Sequence, residues 1–372
     1  MRAVGIILAG GNNNRMKELT HKRAVAAMPI AGSYRSIDFA LSNMTNSHIQ
    51  KVAVLTQYNA RSLNEHLNSS KWWNFGRKQG GLYVFTPTIT NDNGYWYRGT
   101  ADAIYQNMDF LKKSHEPYVV IASGDAVYKM DYSKVLQYHI DKKADVTVVC
   151  KEMDPSDDVS RFGTIRMDDD MRITEFEEKP MVTKSNMIST GIYVIRRRLL
   201  IDLIEHAAEE ERFDFVNDVL IRYKNLKRIY GYKIDSYWSN ISTVESYYKT
   251  NMDFLKPEIR NYFFKQEPAV KTKIDDLPPA KYNPGADVKN SLISSGCIVN
   301  GVVENSVLFK DVYVGNNCVI KNSVILNDVY LGDNTHIENC IVESRGTIRA
   351  NSYYSGDGEV EIVVEKNDRY SL

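Results

Sequence analysis

The sequence is poor in the residues that staple a chain or hold a metal, with four cysteines and seven histidines in 372 residues. It also lacks any apolar run long enough to span a bilayer. Cys150, Cys297, Cys318 and Cys340 form no CxxC pair, and three of them fall in a repeat described below, where a small apolar residue fits. They read as buried free thiols in a reducing cytoplasm rather than as a zinc site or disulfides. An excess of charge is missing too. Lys plus Arg and Asp plus Glu both total 47, so the formal net charge is +0. That gives no bulk attraction to nucleic acid and none to an anionic membrane, and an anionic ligand must be held by a local cluster. The apolar start, residues 3–9, runs into Gly10-Gly11-Asn12-Asn13-Asn14 with no small-residue cleavage pattern. It reads as a buried strand, not a secretion signal.

What the chain does have is alternation. Short apolar runs at residues 3–8, 52–55, 118–122, 146–150 and 192–195 read as strands, several of them buried on both faces. Between them, residues 100–112 place Ala103, Ile104, Met108 and Leu111 at helical spacing, and residues 132–142 do the same. The pattern predicts an α/β, Rossmann-like domain over residues 1–255 with a mainly parallel sheet covered by helices. Ligands in such folds sit beyond the carboxyl ends of the strands. The loops to watch are therefore residues 9–15 and Ser123-Gly124-Asp125.

Pro257, Pro268, Pro278, Pro279 and Pro284 mark residues 256–284 as a linker. The period then changes. Glu304-Asn305-Ser306-Val307 returns as Lys321-Asn322-Ser323-Val324 and as Glu338-Asn339-Cys340-Ile341, and Asp311-Val312-Tyr313-Val314-Gly315 returns as Asp328-Val329-Tyr330-Leu331-Gly332. A spacing of 17 residues, with aliphatics every five or six positions, predicts a left-handed parallel β-helix of hexapeptide type over residues 285–372. Its exposed rungs and edges suit subunit contact. His336 reads as a solvated turn residue, not as the catalytic histidine of an acyltransferase.

Three features carry chemistry. Gly10 and Gly11 after a strand, followed by Arg15, suit phosphate: glycines let the backbone approach oxygens, and a guanidinium meets a pyrophosphate in bidentate fashion. Asp125 ends a second apolar strand, where a divalent cation can be held. Glu177-Glu178-Lys179-Pro180 sets a lysine in a loop where a sugar phosphate can be met. Taken singly, each is also what an ordinary turn would show.

Together with Ser36-Ile37-Asp38-Phe39-Ala40-Leu41-Ser42-Asn43, Leu55-Thr56-Gln57-Tyr58, Tyr97-Arg98-Gly99-Thr100-Ala101-Asp102-Ala103, Phe162-Gly163 and Ser189-Thr190-Gly191-Ile192-Tyr193, these motifs are colinear with those of a known family. Up to about residue 343 the chain resembles bacterial glucose-1-phosphate adenylyltransferase (ADP-glucose pyrophosphorylase). The resemblance implies conversion of ATP and glucose 1-phosphate to ADP-glucose and pyrophosphate, for glycogen synthesis. It implies that Gly99 and Gln106 face adenine and that Glu178, Lys179 and Ser189 face glucose 1-phosphate. Asp125 would hold Mg²⁺, and Lys22, Arg23 and Arg35 would meet phosphorylated effectors.

The chain departs from the family on one side only. The Gly-x-Gly-Thr-Arg-Leu loop is Gly11-Asn12-Asn13-Asn14-Arg15-Met16. Arg-Ala-Lys-Pro-Ala-Val is Arg23-Ala24-Val25-Ala26-Ala27-Met28, which puts Val25 where a triphosphate-facing lysine belongs. Trp-x-Asp-Val-Gly-Thr is Trp238-Ser239-Asn240-Ile241-Ser242-Thr243, so an amide stands where the second Mg²⁺ carboxylate belongs. The mixture resembles a GlgD-type regulatory subunit, with little catalysis of its own and doubtful Mg²⁺ binding. Its expected partner is a GlgC-type catalytic subunit in a hetero-oligomer, a tetramer by analogy. A competent adenylyltransferase with substituted groups and a non-enzymatic sugar-phosphate or nucleotide sensor are the alternatives.

Overall fold

The computed structural model describes residues 2–11, 14–76, 80–88, 94 and 96–365. Its N-terminal domain is built on a 9-stranded sheet. Ala3–Leu8 lies between Lys51–Leu55 and Tyr118–Ser123, parallel to both. The period-2 alternation of that first strand fills two layers: Ala3 and Ile7 enter one apolar cluster, Val4 and Ile6 the cluster on the opposite face. Gly81–Phe85 extends the parallel half beyond Lys51–Leu55. The other half is mixed, because Met187–Arg196 runs antiparallel to both Tyr118–Ser123 and Val146–Glu152. Residues 100–112 form two short helices, Thr100–Gln106 and Met108–Lys112, which meet at Asn107.

The C-terminal domain is a left-handed β-helix of three parallel sheets with five strands each. Its first strand, Lys281–Tyr282, pairs with Ile298–Val299, so the coil begins ahead of position 285. Coils stack in register, Tyr313 on Tyr330 on Thr347 and Val303 on Ile320 on Ile337. The recurring Asn and Asp residues are corners. Asn305, Asn322 and Asn339 have φ of 45°, 45° and 53°, a conformation that asparagine tolerates better than most residues. Side-chain amides also link coil to coil, Asn317 to Asn334 at 3.2 Å and Asn334 to Asn351 at 3.1 Å. His336 is not a turn residue: it lies on the strand His336–Glu338 with its ring stacked on Tyr353. All four cysteines are free and buried, and burial pushes the Cys297 and Cys340 thiols up to about 11.

Residues 256–284 do more than link. Phe263 and Val270 share one apolar cluster with Phe39, Ile241, Val244, Phe254 and the β-helix residues Val307, Phe309, Val324 and Ile341. The helix Val244–Asp253 carries this contact, and the Tyr248 hydroxyl donates to the Asn322 carbonyl at 2.6 Å. Among the described residues no helix is long and apolar enough to cross a membrane.

Candidate functional site

Parallel pairing brings the two loops of interest together at the carboxyl ends of adjacent strands. Leu8 lies opposite Ser123, and the Gly124 amide donates to the Leu8 carbonyl at 2.9 Å. Gly10 lies against Gln57, and a side chain at Gly11 would meet nothing within 4 Å, so the backbone there is open to an approaching ligand. Of the altered loop Asn12–Asn14, Asn12 and Asn13 lie outside the described residues, and Asn14 is exposed at the start of the turn Asn14–Thr20. Arg15 is exposed just beyond them. Gln57 also grips the next segment: its amide group bonds the Tyr97 backbone N–H at 3.0 Å and carbonyl at 3.3 Å, which ties Gly10 to the approach of Gly99. A side chain on Gly99 would come within 2.3 Å of the Phe213 carbonyl, so packing alone accounts for glycine there. Gln106 donates to Asp102 at 2.9 Å, and its carbonyl oxygen is buried without a donor among the described residues.

Asp125 and Asn240 are neighbours, because Trp238–Asn240 pairs antiparallel with Ala126–Tyr128 and sets Asn240 against Ala126. Both polar ends of Asn240 and one carboxylate oxygen of Asp125 are already engaged. The Ser123 hydroxyl donates to the Asp125 carboxylate at 2.5 Å. The Asn240 amide donates to the Asp125 backbone carbonyl at 3.3 Å, while its oxygen accepts from the Ser242 N–H at 2.9 Å. One carboxylate beside one amide turned onto the backbone does not fit a two-carboxylate cage, and Mg²⁺ favours hard anionic oxygens. Val25 is 8% exposed, packed with Met16, Leu19, Met28, Ile241 and Val244. The position is part of a core, with no cation to offer a triphosphate.

The sugar side is different. Ile173–Glu178 pairs with Gly163–Met167, and Lys179 follows with φ of 47° and its side chain 63% exposed, 3.2 Å from Glu178. Burial raises the Glu178 carboxyl above its usual range, against the pull of Lys179. A side chain at Gly163 would strike Phe176 at 2.7 Å and the Glu178 carboxylate at 2.8 Å, so that glycine is what lets Glu178 turn inward. Ser189 is buried on Met187–Arg196 at a register shift, sharing a hydrogen bond of 3.2 Å with the Tyr193 hydroxyl. Burial raises the Tyr193 phenol, and the Glu178 and Asp214 carboxylates add to the rise.

Comparison with known proteins follows these boundaries. The family model "Nucleotidyl transferase" matches residues 4–257, and "GlmU-like, C-terminal hexapeptide" matches residues 278–359. Proteins named glucose-1-phosphate adenylyltransferase are similar over most of their length. That of Clostridium novyi is 41% identical over 317 residues, covering 84% of this chain and 83% of the relative. That of Thermosipho melanesiensis is 41% identical over 314 residues, covering 84% and 76%. That of Clostridium botulinum strain Eklund 17B is 42% identical over 318 residues, covering 84% and 82%. The chain belongs to the glucose-1-phosphate adenylyltransferase family.

In this member of the family, the three cations expected to meet effectors are not equivalent. Lys22 is exposed. Arg23 reaches across to the β-helix, paired with Glu343 and bonded to the Ser344 hydroxyl. Arg35 is half-buried and donates to the Ser62 carbonyl at 3.2 Å. Burial lowers its guanidinium below the usual range, as does the nearby charge of Arg23, while Asp38 and Asp275 oppose the fall. Two further cations were not legible in the sequence: Lys310 pairs with Asp275 at 2.7 Å, and Lys273 lies close enough to Asp275 to lower its carboxyl. They converge only because the β-helix packs against the segment that leads into it. Ser123 and Tyr193 lie in motifs legible in the sequence, but the partners of their hydroxyls are not, since a side-chain hydrogen bond has no sequence signature of its own.

Proposed function

We propose that this chain is a regulatory subunit of a glucose-1-phosphate adenylyltransferase complex in glycogen synthesis, itself weak or inactive in catalysis. The reaction of the complex is ATP plus glucose 1-phosphate to ADP-glucose plus pyrophosphate. A phosphate oxygen of the sugar phosphate attacks the α-phosphorus of ATP and pyrophosphate leaves, so the barrier is governed by charge stabilisation and positioning. The observation that carries the reading is the state of two positions on the triphosphate side. Val25 is sealed in an apolar cluster, and both polar ends of Asn240 are spent on backbone groups. Removing one electrostatic stabiliser costs on the order of 10²-fold or more in rate. Two such losses leave little turnover.

The regulatory half of the reading rests on the cations at the domain boundary. Arg23, Arg35, Lys273 and Lys310 gather around Asp275 and Glu343, where a phosphorylated metabolite would compete with the carboxylates. The helix Val244–Asp253 starts beside Asn240 and ends its contacts on the β-helix, so it connects this boundary to the site. An effector held there biases a catalytic partner only through different affinity for two assembly states. A coupling of about 1–3 kcal/mol corresponds to roughly 5–150-fold in apparent affinity.

The test is reconstitution with an intact catalytic relative. Mixed oligomers should show activator and substrate constants different from those of the relative alone, and Arg35→Ala should shrink that difference without dissociating the complex. Unchanged kinetics at saturating ratios of the two chains would remove the regulatory role.

A further inference from the structure

The β-helix docks on the N-terminal domain through the sheet that carries Val307, Val324 and Ile341. A second sheet is made by Asp287–Lys289, Val302–Glu304, Val319–Lys321, His336–Glu338 and Tyr353–Ser355. Among the described residues it contributes nothing to that apolar cluster. Val303, Ile320 and Ile337, at the centres of three of its strands, are fully buried within the coil. Alternation along each strand therefore turns the flanking residues outward, in two ladders that climb the stack from coil to coil. One ladder reads Lys289, Glu304, Lys321, Glu338, with the sign of charge reversed at every step. The other reads Asp287, Val302, Val319, His336 and ends on Tyr353, which is 69% exposed. Lys321 and Glu304 stand 3.8 Å apart, too far for a hydrogen bond, and each side chain is 41% exposed. Pairing within the charged ladder is thus loose.

Such a face is complementary to itself in one orientation. With a two-fold axis along the strands, between the coils of Glu304 and Lys321, the first coil faces the fourth and the second faces the third. Lys289 then meets Glu338 of the second copy, Glu304 meets Lys321, Val302 meets Val319, and Asp287 meets the His336 ring. With the axis along the coil stack instead, Glu304 would face Val302 and Lys321 would face Val319, setting charge against apolar surface. Opposite charges across an interface fix its register and its partner. We propose that this sheet is a self-association face, on which a second copy of the chain packs with its coil stack antiparallel. Four coils about 4.8 Å apart make a small face, so the pairing is weak and reversible. It does not depend on whether the chain catalyses.

Sedimentation of the full chain over a range of concentrations tests this. The average mass of the unaltered chain should rise with concentration, and added salt should suppress the rise. Glu304→Lys sets a lysine against Lys321 of the second copy, and Lys321→Glu sets a glutamate against Glu304. Each single variant should associate about tenfold more weakly or worse, since like charges then meet twice across the axis. An equimolar mixture of the two variants opposes unlike charges at all of these positions, so it should regain the association of the unaltered chain. A role confined to stability within one chain would not be rescued by mixing. Both side chains are partly exposed, so the variants are expected to fold, and circular dichroism checks this. No rise with concentration in the unaltered chain, no loss in the single variants, or no recovery in the mixture overturns the proposal. Loss of binding to a catalytic relative in the variants, without self-association of the unaltered chain, would assign the face to that relative and overturn it equally.

Discussion

On the side expected to face the triphosphate, Val25 is locked among Met16, Leu19 and Ile241, and the Asn240 amide is spent on the Asp125 carbonyl and the Ser242 N–H. On the side expected to face the sugar phosphate, Lys179 projects 63% exposed beside a half-buried Glu178, and the buried Ser189 and Tyr193 hydroxyls bond each other. The two sides stand on different elements: Asn240 on a separate two-stranded sheet and Val25 in a short helical turn, Glu178 and Ser189 on strands of the nine-stranded sheet. What separates them is where polar groups are spent. At positions 25 and 240 the polar atoms are absent or spent on backbone groups, whereas the Lys179 ammonium projects into solvent beside Glu178. On the proposed reading, the fold gives up one half of a two-substrate site without disturbing the other, because the vacated positions are filled by apolar packing or by backbone bonds.

The contrast is broken most forcefully by rebuilding the missing half. Asn240→Asp with Val25→Lys should raise ADP-glucose synthesis at least tenfold over wild type, and by more than either change alone, because both groups serve one transition state. Val25→Lys on its own should lower the melting temperature, since the new ammonium starts in an apolar cluster and must reach outward past it. Steady-state assays and thermal melts of the four proteins check both statements. No gain in the double variant would mean that the altered loop Asn12–Asn14 alone is disabling or that the assignment of Val25 and Asn240 is wrong.

A smaller effect sharpens the sugar side. Lys179→Ala should weaken glucose 1-phosphate binding about tenfold, as expected for the loss of one charge-assisted hydrogen bond. Asn240→Ala should leave that binding unchanged. Isothermal titration of the two variants tests whether the halves are as separate as the structure makes them.

The smallest expected effect is in pH. Burial holds the Glu178 carboxyl above its ordinary value, so it takes up a proton sooner as pH falls. Glucose 1-phosphate affinity should drop by a few-fold on acidification as this acceptor is protonated. Glu178→Gln should flatten the part of the profile that the phosphate's own titration does not explain, and an unchanged profile in the variant would take Glu178 out of the site.

Much of this was readable from residue order, for identifiable reasons. The β-helix announces itself because each coil must turn the same corners, and Asn or Asp at positive φ recurs at fixed spacing. The strand ends at Gly10 and Asp125 are legible because parallel strands put their loops on one edge. The reversed direction of Met187–Arg196 was not legible, since an apolar run reads alike in either direction. Missing groups at 25 and 240 could be seen, but not what the replacements do. The burial of Val25 depends on Ile241 and Val244, and the bonds of Asn240 on the carbonyl of Asp125. Lys273 and Lys310 join the boundary cluster only through the docking of the β-helix, which no local pattern encodes.

The central claim is that the triphosphate half has been given up while the sugar half is kept. The most direct measurement is ADP-glucose synthesis by the isolated chain at saturating ATP and glucose 1-phosphate, beside a catalytic relative assayed under the same conditions. The account predicts a turnover lower by on the order of 10²-fold or more, with glucose 1-phosphate still bound. A turnover within tenfold of the relative would contradict it.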